Sequence, residues 1–211
     1  METQQVGFAP IRVSPRTGAE PIHDESRPVG LTVLDFWRWS TSDLLSNAAR
    51  GRLAEYLVAI ALGKPEGVRA EWDAYDLMTS TGQKVEVKSA AYLQSWYHKK
   101  LSAITFGIRP TRSWSAQTNE LEKSRLRQAD LYVFAVLEHM DKATVDPLNV
   151  AQWRFYVLPT AILNTRCLTQ KTIGLKRLLS LGPREAKFDQ LGVAVATVGA
   201  DLAGVSGQGH G

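Results

Sequence analysis

The amino-acid sequence predicts an α/β fold in which helices flank a central mixed β-sheet. Residues 131–137 (LYVFAVL) and 153–159 (WRFYVLP) are rich in the aromatic and β-branched side chains that are typical of strands. Residues 43–62 carry leucine and alanine at helical spacing, which indicates a helix with one apolar face. The predicted order of a helix, several strands and then further helices favours helical layers packed on a sheet.

The remaining elements follow from local patterns along the chain. We expect the first helix to end at Gly63 and Pro65, because both residue types interrupt helices. A turn signal at residues 80–82 separates two short strand candidates, residues 74–80 and 83–90. The other predicted elements are a strand at 102–108, a short polar helix at 120–128, and helices at 162–168 and 173–182.

The overall composition is that of an ordinary globular protein. The chain has 211 residues, of which 44% are hydrophobic and 22% charged, and this suffices for one domain with a sizeable core. Its net charge of +4 permits a polyanionic partner, but a slightly basic soluble protein explains the charge equally well. Cys167 is the single cysteine, so no intrachain disulfide and no zinc site built from cysteines can form.

The two ends of the chain differ in composition from the segment between them. Prolines recur through residues 1–30 without an apolar period, which predicts an irregular N-terminal arm before a single domain at 31–200. Residues 201–211 are glycine-rich and are expected to form a flexible tail. We find no secretory signal and no apolar run long enough to cross a bilayer, so we expect a cytoplasmic protein without a membrane partner.

Three carboxylates lie in apolar surroundings, where charged side chains are uncommon. Glu55 belongs to the apolar helix, Asp76 begins a strand, and Glu86 stands one residue before Lys88 in the next strand segment. Each also has an ordinary explanation. Glu55 could pair with Arg52 at a solvent edge, Asp76 could be a turn residue, and the Glu86 carboxylate could form an exposed salt bridge.

The strand geometry brings these charges together in one plausible pairing of the two strands. Residues two apart in a strand share a face, so Glu86 and Lys88 point to the same side. If residues 81–83 form a three-residue loop, Met78 lies opposite Glu86, and Asp76 lies opposite Lys88 on that same face. Two carboxylates crowd together when a positive charge offsets their repulsion, and a divalent cation commonly does so.

The resulting pattern resembles the PD-(D/E)xK phosphodiesterase superfamily, whose members have a restriction-endonuclease-like fold. The superfamily signature is a helix that carries a glutamate, a strand with an aspartate, and a partner strand with (D/E)-x-K. Here the matching residues are Glu55, Asp76, Glu86 and Lys88. The chain departs from the named motif at Tyr75, which stands where the motif has proline.

The resemblance covers roughly residues 31–165 and leaves the C-terminal part unexplained. It implies an α/β protein with a restriction-endonuclease-like core that acts as a Mg²⁺-dependent DNA endonuclease, with Mn²⁺ as a substitute. Restriction, repair or genome defence would be its setting, and hydrolysis would leave a 5′-phosphate. The alternative is a catalytically silent module of the same fold that binds nucleic acid or a partner protein.

The resemblance also implies a role for each site residue. Asp76 and Glu86 would be carboxylate ligands of the metal ion, with the backbone carbonyl of Val87 as a further oxygen ligand. Lys88 would position or deprotonate the attacking water and offset the phosphate charge. Glu55 would hold a water on the metal or help to bind a second metal ion.

DNA binding needs further contacts, and polar, basic and aromatic residues after the motif are candidates for them. A solvated surface explains most of the basic residues equally well. A homodimer or a partner protein could supply target choice, because no separate recognition domain is visible in the sequence. The predicted nucleic-acid-binding residues are Gln94, Ser95, Trp96, His98, Lys99, Lys100, Arg109 and Arg112.

A third explanation needs no nuclease at all. The two acids and the lysine could form a plain salt-bridge cluster in an unrelated α/β protein. A divalent ion bound between Asp76 and Glu86 would count against that explanation.

Overall fold

The structure is a computed structural model, and it describes most of the chain. The described residues are 11–63, 67–69, 74–112, 114–115 and 120–207, with side chains for all of them except 114, 115, 120 and 205–207. Residues 1–10 of the predicted arm and residues 208–211 of the predicted tail therefore lie outside the described residues.

The described residues form eleven strands, five α-helices and one short 3-10 helix, Val150–Gln152. The strands are β1 (Pro21–Asp24), β2 (Arg27–Thr32), β3 (Leu77–Met78), β4 (Lys84–Ala91), β5 (Thr105–Gly107), β6 (Trp114–Ser115), β7 (Glu120–Leu121), β8 (Leu131–Leu137), β9 (Trp153–Pro159), β10 (Thr172–Gly174) and β11 (Arg184–Ala186). The helices are α1 (Val33–Thr41), α2 (Asn47–Ala61), α3 (Thr160–Arg166), α4 (Leu175–Leu179) and α5 (Phe188–Gly207).

A five-stranded mixed sheet forms the centre of the molecule. Its strand order is β11-β9-β8-β4-β3, in which β4 and β8 run parallel and the other neighbours antiparallel. Every residue of β8 is buried, as a continuous apolar run in a central strand predicts. Helices cover the sheet, so the prediction of a central mixed sheet flanked by helices is confirmed.

The alternation along β4 sends neighbouring side chains to two different cores. Val85 and Val87 belong to the core that α2 and α5 form with one face of the sheet. Ala90, on the opposite face, belongs to a second core with β5, β10, α3 and α4. Phe106 and Phe134 pack in that second core with ring centroids 5.0 Å apart.

The N-terminal part of the described chain contains structure that the sequence did not predict. Strands β1 and β2 form an antiparallel hairpin within the segment interpreted as an irregular arm. Thr32 then caps α1 with a capping box that includes Asp35. Helix α1 is nine residues long and buries none of its residues. Helix α2 begins at Asn47, four residues later than predicted, because Ser46 caps it.

The predicted polar helix at 120–128 is wrong. The segment contains β7, and Leu126 forms an isolated bridge with Thr111. Arg127 is buried, and its guanidinium donates to the carbonyls of Ile108 and Cys167 at 2.7 and 2.9 Å. These tertiary contacts hold the segment extended, whereas its charged composition suggested a solvated helix.

The longest helix, α5, was also not predicted. It packs Leu191, Ala194 and Val195 into the first core and continues to Gly207, inside the segment expected to be a flexible tail. Glycines within the helix lower its intrinsic propensity, so burial against the sheet and α2 must stabilise it. No helix in the described part of the chain is long and apolar enough to cross a membrane.

Candidate active site

The β3–β4 hairpin keeps the predicted faces but not the predicted register. The structure pairs Leu77 with Val85 and Met78 with Lys84, whereas the predicted register placed Met78 two residues further along β4. The turn lies one residue earlier than expected: the Thr79 N–H donates to the Gln83 carbonyl, so residues 80–82 form the loop, with Gly82 at a φ of 86°. A shift of two residues preserves the side to which each side chain points, so the grouping of the acids does not change.

Asp76 lies immediately before β3 and is bound to the edge of β4. Its backbone N–H donates to the carbonyl of Val85 at 3.0 Å. Its carboxylate accepts a hydrogen bond from the backbone N–H of Val87 at 2.7 Å. The N–H and C=O of a strand residue point to the same side, so the Val87 carbonyl also faces this edge of the sheet.

Glu86 and Lys88 lie together on the other face of β4 from Val85 and Val87. The Lys88 ammonium donates to the Glu86 carboxylate, and both side chains are part-buried. Their neighbours on β8 include Phe134, directly beside Lys88 in the parallel ladder. The pair forms the salt bridge of the ordinary explanation, but it is part-buried, since 34% of the Lys88 side chain and 19% of the Glu86 side chain are exposed.

The electrostatics of Asp76 reflect this crowding. Burial raises its pKa from the ordinary value of 3.8 to about 6, and the nearby carboxylates of Glu86 and Glu55 add to the rise. The hydrogen bond from Val87 and the charge of Lys88 oppose the shift without cancelling it. Asp76 thus carries an unfavourable negative charge at neutral pH, and a cation at this edge would stabilise that charge.

Glu55 projects from α2 and has a partner that sequence reasoning missed. Both of its carboxylate oxygens accept hydrogen bonds from Arg69, which lies beyond the end of the helix. The partner is therefore Arg69 and not Arg52, the partner of the ordinary explanation. Arg69 carried no signal in the sequence, because it stands in a loop that helical spacing cannot place next to Glu55.

The predicted metal ligands are brought only partly together. Among the described residues, no group of three histidine, cysteine, aspartate or glutamate side chains is arranged to hold a metal ion. The donor set at the β4 edge is instead two carboxylates, from Asp76 and Glu86, and the backbone carbonyl of Val87. Two carboxylates with a backbone oxygen suit Mg²⁺, which takes oxygen ligands and keeps several waters, so the residues present fit this ion.

The predicted nucleic-acid-binding residues separate into buried and exposed ones. Gln94 is only 8% exposed, and its side-chain amide donates to the carbonyl of Ala91 and the hydroxyl of Ser102. Ser95 donates to the carboxylate of Asp43 at 2.7 Å. His98 is held by the Gln94 N–H and by the carbonyl of Lys100. The exposed candidates are Ser95, Trp96, Lys99, Lys100, Arg109 and Arg112.

Sequence reasoning also missed a buried arginine beside Gln94. Arg50 lies on α2 and is 4% exposed, and its guanidinium reaches the side chain of Gln94 at 3.4 Å. Position 50 lies next to the apolar face of the helix, where an arginine is normally expected to be exposed to solvent. Its burial depends on how α2 packs against the end of β4, which no local pattern reveals.

The fold and the site define an α/β protein that presents two carboxylates and a lysine on one strand edge of a mixed sheet. Residues 33–176 match the family model of bacteriophage T4 endonuclease IV, and the match covers more than half of the 211-residue chain. The chain therefore belongs to the bacteriophage T4 endonuclease IV family, which is a nuclease family. The matched segment contains all four predicted catalytic residues. Comparison with curated proteins finds no match.

Proposed function

We propose that the protein is a Mg²⁺-dependent endonuclease that hydrolyses phosphodiester bonds of DNA. The observation that carries the proposal is the crowding of Asp76 and Glu86 with Lys88 at the edge of β4. Membership of the T4 endonuclease IV family supports endonuclease activity and DNA as the substrate. The raised pKa of Asp76 supports a cation at this edge, because a site without one leaves two acids in repulsion.

Asp76, Glu86 and the Val87 carbonyl would hold the Mg²⁺ ion. When bound, the ion would neutralise charge on the phosphate and on the departing oxygen. The Val87 N–H holds the Asp76 carboxylate at the strand edge, so this ligand is oriented before any substrate arrives. The same cation would lower the pKa of Asp76 and keep its carboxylate ionised at neutral pH.

Lys88 supplies the positive charge of the protein at the reacting phosphate. Its ammonium is now bound to Glu86, and release from this contact would let it face the phosphate and the attacking water. Water then loses a proton to solvent and attacks phosphorus, a P–O bond forms, and the bond to the 3′-oxygen breaks; that oxygen takes up a proton from solvent, which leaves a 5′-phosphate and a 3′-hydroxyl. Glu55 would order water at the site, with Arg69 holding its carboxylate in place.

The test is DNA cleavage by the purified protein in Mg²⁺, in Mn²⁺ and in EDTA, on plasmid and on single-stranded DNA. We expect metal-dependent cutting that is reduced by about 100-fold or more in Asp76→Asn and in Lys88→Met. Asp201→Asn and Lys187→Met are the matched controls, because both residues are exposed and lie far along the chain from the site. The controls should cut like the wild type.

Binding of Mg²⁺ gives a second readout that does not require cutting. Mg²⁺ should raise the melting temperature of the wild type and leave Asp76→Asn unchanged, because a ligand stabilises only the state that binds it. Cutting in EDTA, or full activity in both site variants, would refute the proposed site. DNA binding without any cutting would instead identify a silent module with the same fold.

A further inference from the structure

A polar cavity, which we call the Arg50 cavity, lies between α2 and the C-terminal end of β4. Its volume is about 310 Å³. Alanines at positions 90, 91 and 103 form the rest of its wall. Its polar lining consists of Asn47, Arg50, Ser89, Gln94, Ser102 and Thr105.

Arg50 brings a positive charge into this cavity without a matching negative one. Its guanidinium donates to the carbonyl of Leu45 and to the side-chain oxygen of Asn47, both at 2.8 Å, and to Gln94 at 3.4 Å. All three acceptors are neutral. The Nε atom of Arg50 is buried without a hydrogen-bond partner.

No ion pair of Arg50 occurs among the residues that the structure describes. Burial lowers the pKa of Arg50, and only the more distant charge of Asp43 opposes this. The carboxylate of Asp43 already accepts a hydrogen bond from the hydroxyl of Ser95. A buried cation with neutral partners is costly, and an anion that enters the cavity would remove this cost.

The cavity lies along the same strand edge as the candidate active site. Strand β3 pairs with β4 only as far as Val85, and among the described residues no other strand is hydrogen-bonded to this edge of β4 beyond Val87. Ser89 of the cavity follows Lys88 directly. A strand advances about 3.3 Å per residue, so Ser89 lies about 7 Å along the edge from Val87. This distance is within the reach of one nucleotide.

We infer that the Arg50 cavity binds a backbone phosphate of the DNA strand next to the phosphate that is cut. The inference rests on the proposed function for the identity of the polymer. A phosphate supplies the negative charge that Arg50 lacks, and serine and threonine hydroxyls with the Gln94 amide offer further donors. A nucleobase would fill the space but would leave the arginine charge uncompensated.

The test measures how DNA affinity depends on salt. Each phosphate that the protein neutralises adds a fixed amount to the slope of log K against log[KCl]. A labelled single-stranded oligodeoxynucleotide and the same sequence as a duplex are titrated with protein in EDTA over a series of KCl concentrations. We expect Arg50→Gln to reduce the slope of log K against log[KCl] by about 0.7 for the single strand and about 0.9 for the duplex. Arg50→Lys should keep most of the slope.

Arg127→Gln is the matched control for this experiment. Arg127 is also a buried arginine, at 8% exposed, but its guanidinium is bound by Ile108, Cys167 and Asn164. The control removes the same charge and should leave the salt slope unchanged. An unchanged slope in Arg50→Gln, or an equal change in Arg127→Gln, would overturn the inference.

A second pair of variants tests the cavity if Arg50→Gln does not fold. Ala103 is exposed and lines the Arg50 cavity, so Ala103→Glu would place a carboxylate on its wall. Ala161 is an exposed alanine of a different cavity, and Ala161→Glu changes the net charge equally. We expect Ala103→Glu to weaken binding at low salt by about fivefold more than Ala161→Glu. Equal weakening would contradict the inference.

The outcomes separate this inference from the proposed function. The wild type could bind DNA in EDTA, with a smaller salt slope in Arg50→Gln, and yet never cut DNA in Mg²⁺. That result would refute the nuclease proposal but would support the phosphate site. A wild type that cuts while Arg50→Gln keeps its slope refutes the phosphate site alone. A wild type that binds neither oligonucleotide at low salt overturns the phosphate site as well.

Discussion

Among single residues, Asp76 has surroundings that fix its carboxylate and at the same time disfavour its negative charge. The Val87 N–H fixes the carboxylate, while burial and Glu86 raise its pKa to about 6. The folded state therefore binds a proton more tightly than the unfolded chain, in which the pKa is close to 3.8. The favourable contribution of protonated Asp76 is fully present below pH 4 and is lost as the pH rises through 6.

Asp76→Asn should therefore stabilise the metal-free protein in a pH-dependent way. The amide keeps an oxygen for the Val87 N–H but cannot ionise. The variant should gain about 2–3 kcal/mol over the wild type at pH 7.5 and almost nothing at pH 4. Urea unfolding in EDTA across this range measures the difference, with Asp201→Asn as the control. A gain in stability that does not change with pH would show that the pKa of Asp76 is not raised in the folded protein.

At the scale of elements, the contact between α5 and α2 depends on a residue without a side chain. A Cβ atom built at Gly192 would lie 2.5 Å from the carbonyl oxygen of Ala61 at the end of α2. Backbone cannot yield as a flexible side chain can, so the two helices meet closely only because position 192 is glycine. This contact helps to hold α2, and with it Glu55 and Arg50, against the sheet.

Gly192→Ala should destabilise the protein although alanine is the better helix former. The clash with Ala61 requires α5 to shift, and we expect a loss of about 1–3 kcal/mol. Gly204→Ala is the matched control, because position 204 is helical and a Cβ there meets nothing within 4 Å. The control should be neutral or stabilise by up to about 1 kcal/mol. Thermal or urea unfolding compares the two, and equal effects would contradict the predicted clash.

At the scale of the whole molecule, Arg127 joins segments that are distant in the sequence. Its guanidinium reaches the carbonyl of Ile108 after β5, the side chain of Asn164 in α3 and the carbonyl of Cys167. A buried arginine with satisfied donors therefore closes the second core. This role explains why the charged segment around it is extended.

Arg127→Met should lower the free energy of unfolding by about 2–3 kcal/mol, because it removes the donor to the Ile108 carbonyl and to the Asn164 side chain, while the Cys167 carbonyl keeps only the N–H of Gln170. Arg125→Met is the control, because Arg125 is exposed two residues away. Urea unfolding gives the comparison. Similar stability in both variants would mean that Arg127 does not tie these segments together.

The hairpin shows where prediction from the sequence succeeds and where it fails. Alternation alone assigned Glu86 and Lys88 to one face and the flanking valines to the other, and the structure places them so. The register was wrong by two residues, because the turn is centred on Thr81 and not on Gly82. The face to which each side chain points follows from strand geometry, and a register change of two residues does not alter it. The register itself depends on the conformation of the turn.

Local patterns in the sequence were enough to predict the strands β4, β8 and β9, the apolar helix α2, and the acids and lysine in apolar surroundings. These features depend on local periodicity and composition, which the sequence displays directly. The pairing of Glu55 with Arg69, the burial of Arg50 beside Gln94 and the packing of α5 depend instead on tertiary contacts. Those contacts join residues far apart in the chain, so they exist only after the elements have packed.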